Sequence, residues 1–294
     1  MEIGRRGLLA GAPAIAAGAG ALLGASMARA EAPAGSTWEQ IQQTKKMRVG
    51  AALSEPWYYK DTENSDKPGG VKIGDTLWRG IGPNIGKLIA DAMGVELQMV
   101  ETTWGTAVAG LQANQFDTMF ILDPTPVRAL SVDFSPSPVL WYPVAGLAKD
   151  SLNVKQWPEL NDPKYRVAVA LGSSTDQFAT RTLPKATITR YNNTGDELAA
   201  FQSDRVDVAL TTAQTADLAR AQLHTGKTII LKPVAAVPAG AALRYEPDHR
   251  WKDYLTTVVA YYYNVGKTQQ IYDDFVAFRG LDPKEATPIA REYW

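Results

Sequence analysis

The 294-residue chain has no cysteine and only two histidines. Without cysteine there is no disulfide framework, no thiol chemistry and no lipid-anchor cysteine. His224 and His249 are isolated and match no metal-ligand spacing, so neither a metal nor any other cofactor is expected. The formal net charge is only −1, and no run of lysines and arginines forms a basic cluster. That removes the electrostatic footprint a nucleic-acid-binding protein needs. What the chain has in quantity is aromatic surface, with eight tryptophans and twelve tyrosines. Such a content suits a pocket lined by rings.

Residues 1–30 read as an export signal, outside the folded chain. Arg5 and Arg6 are followed by an uncharged Ala-, Gly- and Leu-rich run from Gly7 to Met27, and Ala28-Arg29-Ala30 supplies a small-x-small cleavage pattern. Arg5-Arg6-Gly7-Leu8-Leu9 is similar to the twin-arginine signal, with Leu8 in the usual aromatic slot. The run is long enough for an anchor, but Ala and Gly keep its hydrophobicity modest. The expectation is a mature protein beginning at Glu31, soluble in an exported compartment and not membrane-embedded.

The remainder suits two lobes of about 100–150 residues each. Met47–Ala52 reads as a strand, followed by an aromatic turn containing Trp57. Polar Asp61–Lys72 reads as a loop. Ile81, Ile85, Leu88, Ile89 and Ala92 have helical spacing, closed by Gly94. Val95, Leu97 and Met99 alternate as a strand, Trp104 opens a helix through Leu111, and Phe116–Leu122 is a third strand. This β-α-β-α-β rhythm is the unit of a parallel sheet. The same rhythm returns from Tyr165 to Leu231. Proline-bearing stretches at 139–145 and 236–240 read as two connections, giving lobe 1 as 46–140 with 241–294 and lobe 2 as 146–235. Two α/β lobes joined by two crossings form a hinged clamp.

The chain is organised around Phe116–Ser135. A buried strand breaks at Asp123-Pro124-Thr125-Pro126, and Arg128 follows. Ligands of α/β proteins bind at the carboxyl ends of strands. An aspartate and an arginine five residues apart there offer one acceptor for a cation and one planar fork for an anion. A solvated ion pair on a surface loop is the competing reading of these residues.

These motifs, in order, resemble the solute-binding proteins of polar amino-acid ABC importers, the family that includes the glutamine- and histidine-binding proteins. The residues that carry the resemblance are Thr125-Pro126-Val127-Arg128, Val132-Asp133-Phe134-Ser135, Leu111–Asp117, Val167–Ser174, Asp204-Arg205-Val206-Asp207 and Gly266–Tyr272. The resemblance implies a type II periplasmic binding-protein fold: two α/β lobes, a ligand cleft and two hinge crossings. It implies a small amino acid or related carboxylate as ligand, an ABC-transporter permease as partner, a periplasmic location, a monomer and no catalysis. By the same resemblance Arg128 grips the ligand's carboxylate and Asp123 holds its ammonium. Thr125 belongs to the same loop, Ser173 and Ser174 present a helix start to the anion, and Trp104 with Trp57 forms an aromatic wall.

Two positions depart from the family's pattern. Thr212 stands where a second-lobe aspartate usually pairs with the ammonium, and Ser54 stands where an aromatic often stacks on the ligand. Either the ligand lacks an ammonium, or Asp123 supplies the charge from the opposite lobe; the second is preferred. Two other functions remain open on this fold. One is a prephenate or arogenate dehydratase, for which Asp176 and Glu55 are the carboxylates placed near the cleft. The other is an accessory recognition protein without an importer.

Overall fold

The computed structural model describes residues 35–294, so the export signal expected at 1–30 lies outside the described residues. Helix α1 (Thr37–Thr44) starts at a capping box, Ser36 with Glu39, and leads into β1 (Lys46–Ala52). Then come β2 (Tyr59–Lys60), β3 (Val71–Ile73) and β4 (Thr76–Arg79), which form a small antiparallel sheet. The expected loop at Asp61–Lys72 therefore contributes one of three short strands. Its fold is set by Arg79, whose side chain is 1% exposed. The guanidinium bonds Asp61 Oδ2 at 2.7 Å and the carbonyls of Ser65, Lys67 and Pro68. No hydrophobic periodicity announces a loop built around a single buried cation.

Helix α2 (Ile81–Met93) ends on Gly94 in the left-handed conformation, as its spacing predicts. It is followed by β5 (Glu96–Thr102), α3 (Ala107–Gln112), β6 (Met119–Leu122), the one-turn α4 (Pro126–Ala129) and β7 (Asp133–Phe134). Strand β1 runs parallel to β5, and Val49 bridges Thr118 in parallel. Trp104 sits in the turn before α3, not at the start of the helix itself.

The chain then crosses to the second lobe on β8 (Leu140–Ala148). There α5 (Trp157–Leu160), β9 (Arg166–Ala170), α6 (Ser174–Thr182), β10 (Thr187–Tyr191), α7 (Thr194–Gln202), β11 (Val208–Thr212), α8 (Ala213–Leu223) and β12 (Lys227–Ile229) follow. It returns on β13 (Ala236–Leu243) and closes with α9 (Arg250–Asn264) and α10 (Lys267–Phe278). Strands β9, β10 and β11 are parallel, and β8 lies antiparallel to β11.

The stretches read as connections are extended strands that pair with each other. Pro143 lies opposite Ala236, and Pro238 opposite Trp141. The missing proline donors fall where neighbours do the bonding: Val144 N–H to the Ala235 carbonyl at 2.9 Å and Val139 N–H to the Ala239 carbonyl at 2.7 Å. Proline thus interrupts the periodic signal without interrupting the ladder.

The two lobes share one local device. In the first, Asp117 accepts from the Arg48 backbone N–H at 2.7 Å and pairs with its guanidinium at 2.6 Å. In the second, Asp207 does the same for Arg166, at 2.9 and 2.7 Å. Each aspartate satisfies a backbone donor near the start of a sheet strand and pairs with the arginine that carries it. The Phe-Asp and Val-Asp elements read from the sequence are therefore sheet fasteners. Among the described residues, no helix is long and apolar enough to cross a membrane.

The lobes approach closely at two glycines, Gly105 and Gly172. A Cβ built on Gly172 would lie 2.6 Å from the Gly105 Cα, and Gly172 has φ +71°. A backbone neighbour cannot rotate aside as a side chain can. Gly172→Ala should hold the lobes apart and give a larger radius of gyration by small-angle scattering than the parent. Gly74→Ala is the control, since φ there is +59° and a Cβ meets nothing within 4 Å. An equal radius for both variants would contradict the wedge.

Candidate functional site

The sequence of β6 directs the chain into the cleft. Ile121 has φ +62°, a left-handed conformation that β-branched residues rarely adopt. It is the extra residue of a bulge, because Leu122 pairs with Gly240 while Phe120 pairs with Ala241. Strain of about 1–3 kcal/mol is typical of such a residue. The bulge re-aims the chain just before Asp123, and Ile121 itself lines the cavity.

Asp123 is 6% exposed. Its Oδ2 accepts from the Tyr142 hydroxyl at 2.6 Å, while Oδ1 has no partner among the described residues. The tyrosine has one proton, committed to Asp123, so its oxygen accepts from Ser174 Oγ at 2.8 Å. This chain runs from the first-lobe strand, through the crossing strand β8, to the first turn of α6. Burial pushes the Asp123 carboxyl above its ordinary range, against the pull of Arg128 and the two hydroxyls. Burial, and then the charge of Asp123, pushes the Tyr142 phenol up as well.

Arg128 is 5% exposed, on a single helical turn capped by the Thr125 hydroxyl. Its Nη1 donates to the Asp123 carbonyl at 3.2 Å, and its Nη2 to the Gly172 carbonyl of the second lobe at 3.0 Å. Burial lowers its pKa from the ordinary guanidinium value, and Asp123 opposes that.

The cavity brings together Arg128, Asp123, Ser173, Ser174, Trp104, Trp57 and Thr212, all picked from the sequence. Thr125 does not line it; its hydroxyl is spent on the α4 cap. Ser173 and Thr212 line it but also cap helices, Ser173 through Asp176 N–H at 3.0 Å and Thr212 through Thr215 N–H at 3.2 Å. Trp57 packs near Tyr142, ring centroids 6.5 Å apart. Trp104 packs near Tyr58 at 6.4 Å and faces the cavity as well.

Sequence reasoning missed Tyr142 and, most consequentially, Glu197. The glutamate is 1% exposed, lines the same cavity from the second lobe, and its Oε1 has no partner among the described residues. Burial pushes its carboxyl well above the ordinary range. A signal for it exists. In α7 the buried residues are Thr194, Glu197, Ala200 and Phe201, so the glutamate sits on the apolar stripe of the helix. The two carboxylates considered for catalysis are engaged elsewhere. Asp176 accepts from Arg190 Nε at 2.8 Å and from Gly172 N–H at 3.1 Å. Glu55 pairs with Arg279 at 2.7 Å. Among the described residues, no cluster of histidine and carboxylate side chains is arranged to hold a metal ion.

The assembled site is one guanidinium and two carboxyl groups, each carboxyl with a free oxygen, in a cavity of about 40 Å³ walled by two tryptophans. The profile of the bacterial extracellular solute-binding proteins, family 3, matches residues 48–277. The chain belongs to that family. Solved structures agree with the assignment. The chain is similar to an ancestral amino acid-binding protein described as a precursor of cyclohexadienyl dehydratase, at 25% identity over 82% of this chain and 99% of that one, TM-score 0.67. A Streptococcus pneumoniae amino acid ABC transporter substrate-binding protein bound to L-arginine shares the fold at 19% identity, over 83% and 98% of the two chains, TM-score 0.71. A cysteine-binding protein from Campylobacter jejuni does so at 19% identity, over 86% and 98%, TM-score 0.70. No curated protein matches in sequence. Like those folds, this solute-binding protein is two α/β lobes around a cleft.

The buried acids give stability a definite pH dependence. A carboxyl whose folded pKa is raised holds its proton longer in the folded than in the unfolded state. Its favourable contribution is complete below the unfolded value of about 4.3 for glutamate and is lost as pH rises through the folded value. The ligand-free protein should therefore lose stability over that window, and Glu197→Gln should lose less. Melting temperatures across pH 4 to about 8 test this. A constant offset between variant and parent at every pH would mean that Glu197 does not titrate with folding.

Proposed function

We propose that this protein captures a small α-amino acid or a related zwitterion between its lobes and delivers it to the permease of an ABC importer. The observation that supports this reading is the charge arrangement: one cavity holds a buried guanidinium and two carboxyl oxygens with no partner among the described residues. Arg128 holds the ligand's carboxylate by charge-assisted hydrogen bonds from its fork. Asp123 from the first lobe and Glu197 from the second share its ammonium. The charge expected at position 212 is thus supplied from α7, and Asp123 adds to it. Ser173 and Ser174 present the α6 N-terminus to the carboxylate. Trp57 and Trp104 exclude water, which strengthens each of these interactions. The lobes close as rigid bodies about 139–145 and 236–240, where β8 and β13 pair, and the ligand favours the closed state because it touches both lobes. The protein works as a monomer and as a binding protein; Asp176 and Glu55, the carboxylates weighed for catalysis, are held in ion pairs.

Thermal-shift screening against amino acids and small carboxylates identifies the ligand, and calorimetry on variants tests the roles. Removing one partner of a buried charge pair costs roughly 2–5 kcal/mol, or about two to three decades of affinity. Arg128→Ala should bind at that deficit, and Arg128→Lys should recover only part of it. Glu197→Gln and Asp123→Asn should each weaken an amino acid but not the matching carboxylate without its amino group. Parent-like affinity of both acid variants for an amino acid would remove the ammonium assignment.

The location follows from the leader. We infer export through the twin-arginine route to the periplasm, with cleavage after Ala30, from Arg5-Arg6 and Ala28-Arg29-Ala30. Replacing both arginines by lysine should leave uncleaved precursor in the cytoplasm on fractionation. Normal export of that variant would count against this route.

A further inference from the structure

The inner cavity has a larger neighbour. A second cavity of about 400 Å³ lies between the lobes, and Ser54 and Thr194 line both. Its walls carry Leu53, Tyr58 and Tyr59 from the first lobe and Leu198, Leu218 and Ala219 from the second. The charges at its rim already have partners. Lys60 pairs with Glu101, and Glu55 with Arg279 and Gln222. Contacts across the lobes close one side, with Thr215 Oγ1 donating to the Glu55 carbonyl at 2.8 Å. Leu53 stands 42% exposed at this cavity. So the charged cavity, which at about 40 Å³ holds little more than a few water-sized groups, shares its wall with a roomy apolar one. The side chains between them, a serine and a threonine, are small.

We propose that the second cavity is a subsite for the tail of the ligand. The ligand is an α-amino acid whose unbranched apolar or aryl side chain passes between Ser54 and Thr194 and ends against Leu198 and Leu218. A charged tail finds no unpaired opposite charge there, and a short one leaves the cavity to water. The second cavity is of the size in which small ligands bury most of their surface, roughly 300–1,000 Å³. The inference rests on the reading of Arg128, Asp123 and Glu197 as the head-group site, and its test separates the two.

The probes are L-alanine, L-norvaline, L-norleucine and L-2-aminooctanoate, with the matching carboxylates that lack the amino group, measured by calorimetry on the parent protein. Affinity should climb about fourfold for each methylene that enters the apolar cavity. Leu198→Trp, which fills the cavity from a half-buried position outside the head-group site, should flatten that climb while L-alanine binds as before. Should Leu198→Trp not fold, Leu53→Asp, at an exposed position on the same cavity, should reduce the climb instead. Equal affinity for all four amino acids, or a climb that survives the variant, overturns the subsite. If the carboxylates bind as tightly as the amino acids and still gain with length, the subsite stands and the ammonium assignment falls. If nothing in either series binds, both fall.

Discussion

A guanidinium buried between two lobes is the constraint on which the remaining geometry depends. Arg128 cannot shed its charge, and inside the cleft it must be met by acceptors. The protein provides two, the carbonyls of Asp123 and Gly172, one from each lobe. Both come from irregular backbone, where carbonyls are not already spent on a ladder. Hence β6 must end in a bulge and a proline turn, and the β9–α6 turn must carry glycine. The close approach of Gly172 to Gly105 follows from the same demand, because only side-chain-free backbone lets the second-lobe carbonyl reach the first-lobe cation.

The acids complete the arrangement by being incompletely satisfied. In a well-packed interior a buried carboxyl is fully hydrogen-bonded. Here Asp123 uses one oxygen on Tyr142, and both Asp123 and Glu197 retain an oxygen without a partner. Their raised pKa values express the same thing: ionisation in the closed cleft is unfavourable until a cation arrives. Such a site discriminates by what it leaves unmet, since a ligand without an ammonium leaves two desolvated acids unpaired. Tyr142 lies at the centre, on a crossing strand, bonded to Asp123 on one side and Ser174 on the other. A strand shared by both lobes thus ties the buried acid of the first lobe to the first turn of α6.

Much of this was legible in the chain, for physical reasons that differ by element. Arg128 and Asp123 were legible because a buried strand broken by two prolines is a local event, complete within twenty residues. The α/β rhythm was legible because apolar spacing reports burial directly. Strands β8 and β13 were hidden by their prolines, whose missing donors happen to fall outside the ladder's needs. The small sheet around Arg79 was hidden because a single cation organises it, not a hydrophobic pattern. Tyr142 was hidden inside β8, where nothing local separates a cleft-facing tyrosine from a core one.

Glu197 shows where local reading stops. A motif points to position 212, and a threonine there suggests a second lobe without its charge. The fold shows why threonine suffices: Thr212 is the N-cap of α8, and its hydroxyl is consumed in bonding Thr215. Aspartate caps equally well, so capping alone does not choose between them; the cavity does. With Asp123 and Glu197 already lining the cavity, an aspartate at 212 would be a third carboxyl in the same enclosed space. A third carboxyl there would meet the same burial that already pushes the other two up. A neutral cap at the end of β11 and an acid on the buried face of α7 are thus two parts of one solution.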